Sequence, residues 1–432
     1  MNRRSQKPSH TLEIAASFFG SARFSAALTL TSIGIVLASL FLRGLMGWPG
    51  LVGALSVLVL LASLSLASQH ATIEWHGLLP ISLLVFATWV CISVLWSQYP
   101  LASIGSVLYF AAVTMLGIYI ALVRDTFQIA RAFGDVLRIA LALGLALEIL
   151  SGILLDMPLK LFHIAGRLAE FGPIQGLWGT RNELGIVALL ALVTFGIEWR
   201  TRSVSRNVSL TCLSVALLMV LLARSPVAYG GLAVLGVATV TLIGLRRLSN
   251  LNKRNWQFGL LLATVAVCVA AWDSRVAIIN ALSASGELSS RLALWRQLRL
   301  LIPEHQFEGW GWIGIWHSDE SAPFLQLMNL TNRNAASGLN AFLDVWFQLG
   351  LVGLFLFVVV VALAFIRSWL LASRQRSIVY SWPALMLVVL IITALAESSI
   401  LIEFGWLTFV VCSVKAAREL SWRKAFAETV TT

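Results

Sequence analysis

Long apolar runs separated by short polar ones dominate this chain. Windows of about 20 residues, the length that crosses a bilayer as a helix, sit near 24–42, 50–68, 77–96, 102–123, 133–155, 183–199, 208–223, 226–245, 256–273, 341–366, 380–396 and 399–415. The pattern predicts an all-α, polytopic membrane protein with about 12 transmembrane helices. Its expected parts are a tail over 1–23, helices one to nine over 24–273, a large loop over 274–340, helices ten to twelve over 341–415, and a second tail over 416–432. Inside the large loop, Ser289 or Ser290 caps a predicted amphipathic helix that continues through Leu292–Ile302 and stops at Pro303. On a helical wheel Leu294, Trp295, Leu298, Leu301 and Ile302 share one face, with Arg291 at its centre. Such a helix is expected to lie flat in the membrane interface. Its guanidinium then sits at headgroup level or snorkels to water.

Composition agrees with the pattern. Of 432 residues, 59% are hydrophobic and 12% charged, about half the charged fraction of a soluble chain. A soluble enzyme on a single anchor is excluded. The net charge of +11 raises the question of nucleic acid, but the basic residues gather at span boundaries, so no nucleic-acid partner is implied. With the N-terminus inside, 20 of the 31 Lys and Arg residues fall on inner segments. This bias predicts two cytoplasmic termini. Arg3, Arg4, Lys7 and Arg23 precede the first apolar run without a small-residue cleavage pattern, which predicts a retained tail. Cys91, Cys212, Cys268 and Cys412 each lie in an apolar run, and read as small hydrophobes rather than a disulfide framework or metal site.

This topology places both long connections, 156–182 and 274–340, on the outer face. Connections of that length usually have a function. Trp310 and Trp312 alternate with glycines in Glu308-Gly309-Trp310-Gly311-Trp312-Ile313-Gly314. They fit either interfacial anchors or a stacking surface for a sugar ring.

Five segments then carry a resemblance. Gly176-Leu177-Trp178-Gly179-Thr180-Arg181-Asn182-Glu183-Leu184-Gly185, Leu222-Ala223-Arg224-Ser225-Pro226, Ser290-Arg291-Leu292-Ala293-Leu294-Trp295 with the Gly-Trp stretch, Leu339-Asn340-Ala341-Phe342-Leu343-Asp344 running to Gly353, and Ala396-Glu397-Ser398 occur in that order over about 170–415. The ordered set resembles the bacterial O-antigen ligase and exopolysaccharide polymerase superfamily. The resemblance implies a glycosyltransferase C-like enzyme of the bacterial plasma (inner) membrane. Such an enzyme takes an undecaprenyl-diphosphate-linked oligosaccharide at the outer face and passes it to an acceptor glycan or lipid, with inversion and with no metal or cofactor. It also implies that Arg181, Arg224 and Arg291 hold the diphosphate, which suits guanidinium forks that stay charged, and that Asn340, Trp310 and Trp312 border the sugar cleft.

One position departs from the family. Where ligases and many polymerases carry a histidine before the asparagine that starts the post-loop span, this chain has Leu339, which cannot accept a proton. Glu397 is the preferred replacement base and His317 the second. His163, Asp319, Glu320 and Asp344 are in range by topology. The loss of the histidine favours polymerase over ligase and keeps a non-catalytic member as an alternative. A polysaccharide or lipid-linked oligosaccharide transporter is the other. A carrier calls for charges near mid-membrane, and here Glu148 is the clearest. The acidic-rich loop of the peptidoglycan polymerases of cell-shape systems is not found.

Overall fold

The computed structural model describes residues 14, 17–70, 80–247, 285–316 and 336–419, and the single positions 255, 256, 259, 262 and 273. The window 256–273 lies almost wholly outside the described residues, as do His317, Asp319, Glu320 and most of the two tails. Among the described residues the chain runs through α1 (Ala22–Leu37), α2 (Ser39–Ser68), α3 (Ile81–Ile92), α4 (Pro100–Val123), α5 (Thr126–Ile149), α6 (Arg181–Thr201), α7 (Arg206–Ala223), α8 (Pro226–Arg247), α9 (Ser285–Leu301), α10 (Ala341–Arg374), α11 (Ser381–Ala394) and α12 (Glu403–Glu419). Short 3₁₀ turns join several of them, and the described residues hold no strand beyond an isolated bridge between Leu159 and Ile164. The all-α membrane architecture read from the apolar windows is present. Seven helices (α2, α4, α5 with its extension to Leu154, α6, α7, α8 and α10) are long and apolar enough to cross a membrane. α1, α3 with its 3₁₀ extension and α11 are shorter apolar helices, so a count of 12 crossings remains an expectation.

Local chemistry sets the helix ends. Asp125 opens α5 with a capping box: its side chain accepts from the Gln128 amide at 2.7 Å, and the Gln128 side chain reaches back to the Asp125 amide. Thr180 caps α6 by accepting from the Glu183 amide at 3.1 Å. α6 is the central helix: 72% of its apolar window is buried, against 22% for α8. The carboxylate of Glu148, buried near the end of α5, accepts from the amides of Gln175 and Gly176 at 2.7 and 2.8 Å. This apparent mid-span charge therefore anchors the turn that delivers the chain to α6.

α10 is broken at Gly350, whose φ of 69° and ψ of −172° suit glycine alone. The break frees backbone groups, and the segment before it in sequence takes them up. Trp310 and Gly311 donate to the carbonyls of Phe347 and Gln348 at 3.1 and 2.9 Å, and Leu351 and Val352 donate to those of Gln306 and Phe307 at 2.8 and 3.3 Å. Within a bilayer such irregular backbone is tolerated only where protein satisfies it. The Gly309-Trp310-Gly311 stretch is the backbone that does so.

Two sets of cations separate along the bundle. At one end Arg131 donates to Ser203 O, Arg246 to Ala372 O and Arg376 O, and Arg418 to Ala121 O and Leu122 O. Here too the Arg138 guanidinium pairs with the buried Glu198 at 2.6 Å. The other end carries the start of α2, the starts of α6, α8, α10 and α12, and the whole of α9.

Candidate functional site

The first turn of α6 distributes three neighbouring residues in three directions. Arg181, half-buried, donates to the Arg224 carbonyl at 3.3 Å. Asn182 turns inward, its amide donating to Glu397 Oε1 at 2.7 Å while its carbonyl accepts from Ser225 Oγ at 2.6 Å. Glu183 accepts from Ser399 Oγ through Oε1 at 2.5 Å, and its buried Oε2 has no hydrogen-bond partner.

Glu397 ties this turn to the loop helix. Arg291 Nη2 donates to Glu397 Oε1 at 2.7 Å, with only 7% and 8% of the two side chains exposed. The guanidinium also donates to the carbonyls of Leu339 and Ala396. A continuous polar chain thus runs Arg291, Glu397, Asn182, Ser225, with Arg181 and Arg224 the sequence neighbours of its last two members. The three expected arginines share one end of the bundle. Their states differ: Arg291 is buried and paired, Arg181 is half-buried, and Arg224 is exposed in the α7–α8 turn.

The geometry bears on three expectations. The apolar face of α9 packs on protein rather than lying on lipid: Leu294, Leu298 and Ile302 are buried in a cluster with Tyr99, Trp310, Ile313, Trp316 and Phe347. Arg291 shares that buried face and is paired there with this chain's own carboxylate, Glu397. Glu397 in turn is a poor candidate base, because taking a proton there means giving up the buried pair with Arg291. His317 lies outside the described residues.

The expected cleft residues are also structural. Trp310 is wedged between His305, at 4.5 Å between ring centroids, and Phe347, and Trp312 packs edge-on to Phe110. Trp310 is 6% exposed, and Trp312, 1% exposed, borders an apolar cavity beside Phe110 and Trp406. Asn340 caps α10 by accepting from the amides of Phe342 and Leu343, and its own amide donates to the Leu395 carbonyl. Asp344 accepts from the Gly338 amide and from Gln348, whose carbonyl holds the amides of Ile313 and Gly314. It is a clamp on the loop rather than a base. His163, exposed, sits at the end of a short turn with a left-handed φ of 57°.

Sequence reasoning missed a second charged group. Arg43, in the first part of α2, pairs with Glu403 at 2.9 Å, and its guanidinium also lies 4.7 Å from the Trp48 ring centroid. Tyr109 donates to the same carboxylate at 3.3 Å. The signal was present, since charges inside apolar windows are expensive unless paired, and Glu403 falls within the window 399–415.

These groups surround two adjoining cavities. One of about 370 Å³ is lined by Arg43, Thr180, Glu183, Leu339, Glu397, Ser399 and Glu403 among others. A more open one of about 480 Å³ is lined by Arg167, Gln175, Thr180, Arg181 and Asn182, and Thr180 borders both. A third, mostly apolar space of about 320 Å³ between Trp48, Phe110, Trp312 and Trp406 meets the first at Glu403. Leu339, Glu403 and Arg224 are non-glycine residues with left-handed φ of 50°, 46° and 47°. Each such residue costs roughly 1–3 kcal/mol, and such strain gathers at functional sites. Among the described residues no group of three or more His, Cys, Asp or Glu is arranged to hold a metal ion.

Residues 210–358, from α7 to the middle of α10, match a family model described as O-antigen ligase. The matched stretch contains Arg224, Arg291 and Leu339. The α6 turn and Glu397 lie outside it. No curated protein matches the chain.

Proposed function

We propose, from the match of residues 210–358 to a family model described as O-antigen ligase and from the charged cavities beside them, that the protein is a membrane glycosyltransferase. In this reading it polymerises or ligates undecaprenyl-diphosphate-linked oligosaccharides in the bacterial plasma membrane. The observation that carries the reading is the polar chain joining Arg291, Glu397, Asn182 and Ser225 beside Arg181 and Arg224. Arg181, at the wall of the open cavity, and Arg224, on the exposed turn, meet the diphosphate first. Arg291 acts from within: its pair with Glu397 anchors α9 and the start of α10 to the α6 turn. The acceptor hydroxyl attacks the anomeric carbon opposite the diphosphate, and the glycosidic C–O bond to phosphorus breaks with its electron pair passing to the diphosphate. Fixed cations stabilise the charge that develops there.

The side of the membrane follows from charge. Arg124, Arg131, Arg200, Arg202, Arg246, Arg374, Arg376 and Arg418 occupy the end opposite the cavities, and the positive-inside effect assigns that end to the cytoplasm. Both termini then lie inside and the site opens outward.

The test is elongation of purified undecaprenyl-diphosphate-linked repeat units by the protein in lipid nanodiscs. Wild type extends or transfers the glycan. Arg181→Ala lowers the rate about 100-fold, the scale of losing one preorganised charge-stabilising donor. A wild-type protein that transfers no sugar to lipid, glycan or repeat-unit acceptors removes the reading.

A further inference from the structure

The family's usual proton acceptor is absent, because Leu339 stands in its place and lines the 370 Å³ cavity with an alkyl side chain. Three carboxylates face that cavity: Glu183, Glu397 and Glu403. Two of them face guanidinium groups. Glu397 is joined to Arg291 at 2.7 Å and to Asn182, and Glu403 to Arg43 at 2.9 Å and to Tyr109. For either to take a proton, a largely buried ion pair has to be abandoned, and the partner left uncompensated is costly.

Glu183 differs. Its Oε1 is held by a neutral hydroxyl, Ser399 Oγ, at 2.5 Å, and its Oε2 is buried with no hydrogen-bond partner. A buried polar oxygen left unsatisfied calls for a functional explanation. Its position is fixed from both sides: the Thr180 cap holds its backbone amide at 3.1 Å, and Asn182 ties the same helical turn to Glu397. Thr180 also borders the open cavity where Arg181 stands, so the carboxylate and Arg181, one of the cations proposed to hold the diphosphate, line cavities that meet at Thr180.

We propose that Glu183 is the general base of this protein, standing in for the histidine that Leu339 replaces; the assignment rests on the glycosyl-transfer reading above. In the step, Glu183 Oε2 accepts the proton of the acceptor hydroxyl as that oxygen bonds to the anomeric carbon. The bond from that carbon to the diphosphate oxygen breaks, and the diphosphate leaves with the electron pair. Glu183 ends protonated and returns the proton to water or to the departing phosphate. Ser399 positions the carboxylate and does not exchange the proton.

The experiment compares wild type, Glu183→Gln, Glu183→Asp and the double variant Glu183→Gln/Leu339→His in nanodiscs, with undecaprenyl-diphosphate-linked repeat unit as substrate. Turnover and substrate binding are measured separately. General-base removal typically costs about 10²–10⁴-fold in rate. The expected result is a kcat reduced at least about 100-fold in Glu183→Gln with binding within about threefold of wild type. Glu183→Asp falls between the two, and the Leu339→His double variant regains part of the loss. A Glu183→Gln protein that turns over within about threefold of wild type overturns the assignment. If Glu183→Gln fails to fold, the folded Glu183→Asp protein decides: an unchanged kcat overturns the proposal, and a fall of tenfold or more with binding retained supports it. Wild type inactive on every lipid-diphosphate donor removes the glycosyl-transfer reading itself, and this assignment with it.

Discussion

The Arg291–Glu397 pair is the best residue on which to test the polar chain by itself. Both side chains are almost fully buried, so truncating one leaves the other's charge stranded at a cost of about 3–5 kcal/mol. Replacing both with apolar residues of similar volume removes the stranded charge, and such exchanges are often close to neutral. Glu397→Leu is therefore expected to lower the thermal unfolding temperature in detergent markedly, and Arg291→Met/Glu397→Leu to recover most of that loss. Equal losses in the single and double variants mean that the two residues are not coupled. The sequence showed that Arg291 shares a face with Leu294 and Leu298, which put its guanidinium at headgroup level or in water. It did not show a protein carboxylate as its partner. The partner stands 106 residues away, and a non-local ion pair leaves no spacing pattern behind it. Arg43 and Glu403 escaped notice for the same reason.

Among the elements, α10 separates what periodicity reveals from what it hides. The apolar window 341–366 located the helix because burial and hydropathy follow the same residues. The break at Gly350 was invisible, because the apolar run passes through it without interruption and the cause is backbone hydrogen bonding to residues 306–311. Likewise the wheel of α9 identified its apolar face correctly but not whether lipid or protein covers it. Gly350→Ala puts a Cβ against the Phe307 carbonyl in a conformation open to glycine alone. An expected cost of about 1–3 kcal/mol or more follows, with faster amide exchange in residues 306–311 as the loop leaves its seat. Gly236→Ala in α8 is the control. Its Cβ meets open space, and helix propensity predicts a gain of up to about 1 kcal/mol. Similar effects at both positions mean that the break is not held by the loop.

For the whole molecule, the decisive question is which end of the bundle faces the cytoplasm, because the proposed lipid-diphosphate donor, presented at the outer leaflet, reaches only one of them. Each interfacial arginine contributes a modest bias, and their sum over the end opposite the cavities supports the proposed cytoplasmic placement of that end. The cavity end is not free of cations. Arg167, Arg181 and Arg224 are there, so in the proposed orientation these cations work against the bias. Labelling settles it directly. In a background without native cysteines, Glu170→Cys marks the cavity end, and Ser205→Cys and Gln375→Cys mark the opposite end; all three positions are exposed. In intact spheroplasts a membrane-impermeant maleimide is expected to modify Glu170→Cys alone, and the other two only after permeabilisation. The reverse pattern places the cavities on the cytoplasmic side, where newly made lipid-linked units are still being assembled. Polymerisation of flipped repeat units is then impossible, whatever Arg181, Glu183 and Arg224 bind. Modification of all three without permeabilisation means the connection 202–205 and the α10–α11 turn both reach the outer face, and the twelve-span arrangement fails along with the orientation.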